Sequence, residues 1–360
     1  MAPALLPAVR RARAGAVLAV GVLLVGSGAG PARADGGGPD AAPRPAFTFT
    51  DPRIGESSGL AASGRHPGVV WTHNDSGDRP RLFAVGPAGE TLAVLTLAGA
   101  TAQDWEALAP GPEGTLWVGD LGDNLRHRPS VAVYRLVEPA ALRDATVPAQ
   151  RFRLRYPDGP HDAETLLVHP RTGALYVVTK ELTGAAVYAA PVPLRADTDA
   201  ATDNVLRRVA DAPALVTDGA FAPDGRLLVL RDYAAAWVFD ATGDVPGRYL
   251  DDVGFPPQRQ GESVAWTPDG TALLLGSEGR QAPVWRVGLA PAVLAGQPVP
   301  HPAPTSGTPA PRATPTGSAA ALPGAPGGAG WAATGAALTA ALLAGGVLTL
   351  VRRRPSRNPE

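Results

Sequence analysis

Short apolar runs, each long enough for one β-strand, are separated by polar turns rich in Gly, Pro, Asp and Asn through residues 46–289. The order of the runs repeats five times. Each copy has an apolar strand, a short loop with an acidic residue, a strand ending in a Pro/Gly turn, a strand of Leu, Val and Trp, and a strand built around an aromatic. The acidic lead-ins are Glu56-Ser57-Ser58, Asp104-Trp105-Glu106, Asp162-Ala163-Glu164, Asp218-Gly219 and Gln260-Gly261-Glu262, set one propeller blade apart. The pattern predicts an all-β fold, a β-propeller of five four-stranded blades.

The fifth copy lacks a fourth strand. Phe47-Thr48-Phe49-Thr50 matches the run that precedes the third lead-in, so the N-terminal strand is expected to close the last blade and cover the edges of an open ring. Six blades would require the insertions at 139–150 and 191–204 to hide further strands. Trp71, Trp117, Trp237, Trp266 and Trp285 recur at strand positions and read as core; Trp105 lies inside a lead-in and either packs or lines a pocket.

Because strands in a blade alternate in direction, the loops before the inner strands and the loops between second and third strands emerge on one face. That face gathers the ligand candidates Asp75, Asp78, Asp120, Asp123, Asn124, Arg126, Lys180, Arg231 and Glu278, and the metal candidates Glu56, Asp104, Glu106, Asp162, Glu164 and Glu262. A single Asp-Ser-Gly-Asp is an ordinary turn. Recurrence in adjacent blades, Asp75 with Asp78 and Asp120 with Asp123, places carboxylates around one axis, where a cation, an arginine or raised pKa values must relieve their repulsion. Calcium suits such an oxygen-only site. The alternative is bracing of loops through backbone N–H groups, with Arg126, Arg128, Lys180 and Arg231 neutralising part of the acid. Asp224 and Asp269, in Pro-Asp-Gly turns, belong to the opposite face. His73 and His161 read as packing or hydrogen-bonding residues near the face. Gly261-Glu262-Ser263-Val264-Ala265 lacks the final glycine of a serine nucleophile elbow.

Composition narrows the class. Net charge is −1, and the basic runs lie at the two ends, so no nucleic-acid partner is expected. There is no cysteine, which removes disulfides, thiolate catalysis and Cys-ligated zinc. Among 32 basic residues Lys180 is the single lysine, and with abundant Ala, Gly and Pro this composition points to a high-GC bacterium such as an actinobacterium.

The ends read as addresses. Arg10, Arg11 and Arg13 precede an apolar run and Ala32-Arg33-Ala34 offers a cleavage site, so residues 1–34 are expected to be a secretory signal peptide, the alternative being an N-terminal anchor. Residues 35–45 read as a disordered leader, 46–295 as the propeller and 296–330 as a Pro/Ala/Gly/Thr-rich stalk. Residues 331–351 suit a C-terminal transmembrane helix, with the basic tail 352–360 cytoplasmic and the propeller extracellular. Leu322-Pro323-Gly324-Ala325-Pro326 departs from a sortase signal.

Glu56-Ser57-Ser58-Gly59-Leu60, Val70-Trp71-Thr72-His73-Asn74-Asp75 and Asp104-Trp105-Glu106 resemble the phytase-like and SdiA-regulated propellers, and Ala222-Pro223-Asp224-Gly225 and Thr267-Pro268-Asp269-Gly270 resemble turns of WD-repeat and TolB-type blades. The resemblance covers the repeat region and implies calcium binding and phosphoester hydrolysis, without a complete catalytic set that maps onto this chain. Two functions are therefore expected. One is a membrane-anchored cell-surface binding module whose acidic face receives an extracellular small molecule, polymer or protein. The other is a metal-dependent hydrolase in which Asp75, Asp104, Asp120 or Glu164 hold Ca²⁺ while Lys180, Arg126 or Arg231 bind phosphate.

Overall fold

The computed structural model describes residues 42–197 and 203–299. The first described strand is β1 (Arg44–Thr48), and blade 1 follows as β2 (Ser57–Ala62), β3 (Val70–Asn74), β4 (Arg81–Val85) and β5 (Thr91–Ala98). Blade 2 follows as β6 (Trp105–Gly111), β7 (Thr115–Asp120) and β8 (Val131–Val137); after β9 (Ala145–Pro148) it is continued by β10 (Gln150–Arg155). Blade 3 is β11 (Ala163–Val168), β12 (Leu175–Thr179) and β13 (Ala186–Ala189), with β15 (Arg207–Asp211) after the two-residue β14 (Asn204–Val205). Blade 4 is β16 (Asp218–Phe221), β17 (Leu227–Arg231), β18 (Ala236–Asp240) and β19 (Arg248–Val253). Blade 5 is β20 (Ser263–Trp266), β21 (Ala272–Gly276) and β22 (Pro283–Gly288), followed by one helical turn, α1 (Pro291–Leu294).

Burial explains why the strands read as they do. Blades stack face to face, so inner strands are covered on both sides and need no alternation: β17 (Leu-Leu-Val-Leu-Arg) and β21 (Ala-Leu-Leu-Leu-Gly) are buried at every position. Outer strands keep a wet face, as in β10 and β15. The apolar side chains form five clusters, one for each pair of adjacent blades. Trp71, Leu82 and Ala61 meet Trp105, Leu116 and Tyr134 between blades 1 and 2. Phe49, Leu60 and Phe83 meet Ala265, Leu274 and Val284 between blades 5 and 1. The remaining three lie between blades 2 and 3, 3 and 4, and 4 and 5. Five interfaces close a ring of five blades.

β1 completes blade 5 as expected, antiparallel to β22, with Phe47 opposite Val284 and Thr48 opposite Pro283. It starts at Arg44, earlier than the expected boundary at 46. The two insertions do carry strands, but they build no sixth blade. β9 adds parallel to β5 and β14 adds parallel to β10, as fifth, outermost strands of blades 1 and 2. Two blades thus have five strands where four were expected.

The expected signal peptide, most of the leader, nearly all of the stalk, the transmembrane helix and the basic tail lie outside the described residues. Among the described residues no helix is long and apolar enough to cross a membrane.

Candidate axial cation site

Both sets of loops do emerge on one face, tied by backbone hydrogen bonds in every blade: Asp75 N–H to Glu56 O, Gly122 N–H to Asp104 O, Lys180 N–H to Asp162 O, Thr217 N–H to Arg231 O and Glu278 N–H to Gln260 O, all 2.8–3.2 Å. At this face the inner strands of blades 1, 2 and 3 begin with a β-bulge. The register passes from Ser57 to Gly59, from Trp105 to Ala107 and from Ala163 to Thr165, leaving Ser58, Glu106 and Glu164 unpaired. A bulge re-aims the extra residue's side chain. In blades 4 and 5 the equivalent places are taken by Asp218 and Glu262. Four carboxyl groups and one hydroxyl therefore occupy the five blade-equivalent positions, all buried.

Their neighbours set their chemistry. Burial pushes Glu106 well above the usual carboxyl range, and Glu164, Asp75, Asp104 and Glu262 push it further. Burial and then Glu262 raise Glu164, against the pull of Lys180. Burial raises Asp218 as well, opposed by N–H bonds from Val264 (2.7 Å) and Gly219 (2.8 Å). Ser58 Oγ lies 3.3 Å from Glu106 Oε2. Glu164 Oε2 and Glu262 Oε2 are buried with no hydrogen-bond partner. A buried acceptor left bare is costly, and cation coordination is one way to satisfy it.

One oxygen each from Asp75, from Asp104 and from Glu106 of this ring lie within 4.8 Å of one another. Asp75 is pushed up to about 7 by burial, with Asp104, Glu262 and Glu56 adding to the shift against the Ser76 N–H. Asp104 is pushed up to about 6 by burial and Asp162. Glu278, at the rim, is pushed up to about 8 by burial and by Glu262, Asp75 and Glu56. Gly122 makes room for the trio: a Cβ there would meet the Asp104 carboxylate and come within 2.7 Å of Glu106 Oε1. The donors are carboxylate oxygens without sulfur or imidazole, a set that suits a hard divalent cation.

The other predicted residues take varied places. Glu56 stands exposed at the mouth, and Asp162 accepts the Asp123 N–H at 2.8 Å. Lys180 ion-pairs with Glu164 and lies 5.1 Å from the centre of the Tyr233 ring. Asp120 is buried against Arg128 at 2.8 Å. Asp123 accepts the His127 and Arg128 N–H groups within its own loop, Asn124 is exposed, and Arg126 pairs with Glu181. Asp78 is held by Arg81 and by Asn74 Nδ2 (2.7 Å), away from the trio. Arg231 is wholly buried and donates to Asp232 O, Ser263 O, Gly276 O and Gln258 Oε1. Those bonds make it a strut between blades 4 and 5, with no free face for phosphate.

His73 is buried with its ring edge-on to Trp105, which is core and donates Nε1–H to Thr101 O at 2.8 Å. His161 sits between Asp158 and Glu181. Asp224 and Asp269 cap their turns on the far face. Ser58 and Gly122 escaped the sequence reading of the site, and Asp218, read there as an acidic lead-in, was not among its metal candidates. The signal for Ser58 and Asp218 was available, since both stand at the repeat position of Glu106 and Glu164.

No family model matches the chain, and no curated protein matches it. Among solved structures the chain is similar to a gluconolactonase from Xanthomonas campestris, with TM-score 0.41 and 18% identity over 65% of this chain and 72% of that one. It is also similar to a luciferin-regenerating enzyme, with TM-score 0.42 and 11% identity over 69% of this chain and 96% of that one. Likenesses this distant carry no argument about chemistry, and the phytase-like and SdiA-regulated resemblance is not matched by a family model.

Proposed function

We propose that this propeller binds one divalent cation, calcium by preference, at the axial mouth, and that the bound ion receives an oxygen-rich ligand from the open side. The observation that carries the reading is the convergence of Asp75, Asp104 and Glu106 within 4.8 Å, on the face that also holds the bare, buried oxygens of Glu164 and Glu262. Carboxylates this close repel one another unless a cation or protons intervene, and calcium accepts six to eight oxygens in irregular geometry. Asp75 and Asp104 are partly exposed, so a sugar, carboxylate or phosphate oxygen would complete the ion's coordination from their side.

The sequence at the two ends supports display of this face outside a cell, on a stalk above a membrane span, which makes a surface binding module the leading reading. A second reading, metal-dependent hydrolysis of an ester or phosphoester, is favoured by the same trio, because an ion held by Asp75, Asp104 and Glu106 would polarise an ester or phosphoester oxygen.

The test is a calorimetric titration of Ca²⁺ into the chelator-treated full-length chain, with Asp104→Asn and Asp75→Asn beside it. Saturable binding that both substitutions weaken supports the site; absence of binding heat and of any shift in melting temperature overturns it. Incubation of the calcium-loaded chain with phosphomonoesters and lactones separates the two readings. Turnover lost in Asp75→Asn supports the hydrolase, and binding without turnover supports the module.

A further inference from the structure

We propose that Lys180 is a resident cation: its ammonium fills the half of the axial basin that a second divalent ion would otherwise take, so that the mouth accepts one metal ion rather than two. This rests on the axial site described above and adds a statement about its stoichiometry.

The acidic basin has two halves. Asp75, Asp104 and Glu106 come from blades 1 and 2. Glu164 and Glu262 come from blades 3 and 5, with Tyr233 from the loop after β17 in blade 4. Lys180 enters the second half directly after β12, its backbone N–H fixed on Asp162 O at 2.9 Å and its Nζ on Glu164 Oε1. The side chain is largely buried, with Tyr233 beneath the ammonium at 5.1 Å. The ion pair with Glu164 and the Tyr233 ring place the positive charge inside this half.

The lysine leaves the half incompletely satisfied. Glu164 Oε2 and Glu262 Oε2 remain buried and without hydrogen-bond partners, although Nζ sits on Glu164 Oε1. With the lysine removed, Glu164 with both oxygens and Glu262 would form a second oxygen-donor set suited to the same hard cation.

Residue choice agrees. Lys180 is the single lysine among 32 basic residues in a chain that otherwise uses arginine. An ammonium is a compact point charge with three donors, closer to a metal ion in size and symmetry than a planar guanidinium.

The experiment counts calcium ions per chain, by calorimetry and by native mass spectrometry, in the wild-type full-length chain, Lys180→Met, Lys180→Gln, Lys180→Arg and the double variant Glu164→Gln/Lys180→Met. The expected result is one ion in the wild type and in Lys180→Arg, two in Lys180→Met, and one again in the double variant. Lys180→Gln, which keeps a hydrogen-bond donor beside Glu164 without the charge, supplies the count if Lys180→Met does not fold. An equal count in the wild type and the neutral variants overturns the proposal while leaving the axial site standing. A wild type that binds no ion, with a gain of one in Lys180→Met or Lys180→Gln, overturns the site at Asp75, Asp104 and Glu106 and supports the role of Lys180. No ion in any chain overturns both.

Discussion

Arg128 Nη2 lies 2.8 Å from Asp120 Oδ1, and both side chains are nearly sealed from solvent. The same guanidinium donates to Gly122 O at 2.7 Å, and Asp120 accepts the N–H of Asp104 at 3.2 Å. The pair therefore joins the loop that carries Gly122 to the lead-in that carries Asp104. Arg128→Met strands a buried carboxylate and is expected to destabilise the propeller by about 3–5 kcal/mol. Urea denaturation measures this. Asp120→Asn/Arg128→Met, which removes both charges, should recover a large part of the loss.

Gly122→Ala tests the cradle. The added methyl meets Asp104 and Glu106, so the two carboxylates must separate, and calcium affinity is expected to fall at least tenfold, equivalent to about 1.4 kcal/mol. Calorimetry reads the effect. Gly243→Ala, where a Cβ meets nothing within 4 Å, should leave affinity unchanged.

The closing strand sets global stability. Phe49 is buried between blades 5 and 1, and its N–H bonds to Ala282 O at 3.3 Å. Phe49→Ala is expected to cost about 3–5 kcal/mol. Thermal melting should fall by roughly 2–4 °C for each kcal/mol lost. An unchanged melting temperature would show that ring closure does not depend on this segment.

Stability should depend on pH with a slope that calcium flattens. Asp104, Asp75 and Glu278 titrate at about 6, 7 and 8 in the folded chain, against ordinary values of 3.8, 3.8 and 4.5. The folded state thus holds more protons than the unfolded state across that interval. The stabilisation from these groups is complete below about pH 4 and lost as pH rises through their folded values. In chelator the melting temperature is expected to fall between pH 5 and pH 8. Calcium replaces the protons, so the slope should flatten, and at 100 times Kd the ion adds about 2.7 kcal/mol. A slope that ignores calcium would leave the acid ring as bracing.

Much of the architecture was legible because burial on both faces writes unmistakable apolar runs, as in β17 and β21, and because the lead-ins recur at one blade's spacing. β9 and β14 were harder to read. Ala145–Pro148 alternates between half-buried and exposed positions and ends in proline, while Asn204–Val205 is two residues long. Neither carries a strand signal outside its tertiary setting. At the site, residue type and repeat position picked out Asp75, Asp104, Glu106, Glu164 and Glu262 correctly as neighbours on one face. Register shifts of a single residue are invisible in composition, so the bulges that turn Glu106 and Glu164 inward could not be seen. Arg231 looked like a surface cation because three of its four acceptors are backbone carbonyls, which every residue possesses.

The pairing of β1 with β22 also imposes an order on assembly. β1 has its partner roughly 240 residues downstream, so at synthesis rates of about 5–20 residues per second it waits on the order of 10–50 s for β22 to exist. Through that interval the ring stays open, with unpaired strand edges available to other chains. The long sequence separation of this contact makes closure a late and slow event. Misassembly should therefore take the form of one chain's N-terminal strand filling the fifth blade of another.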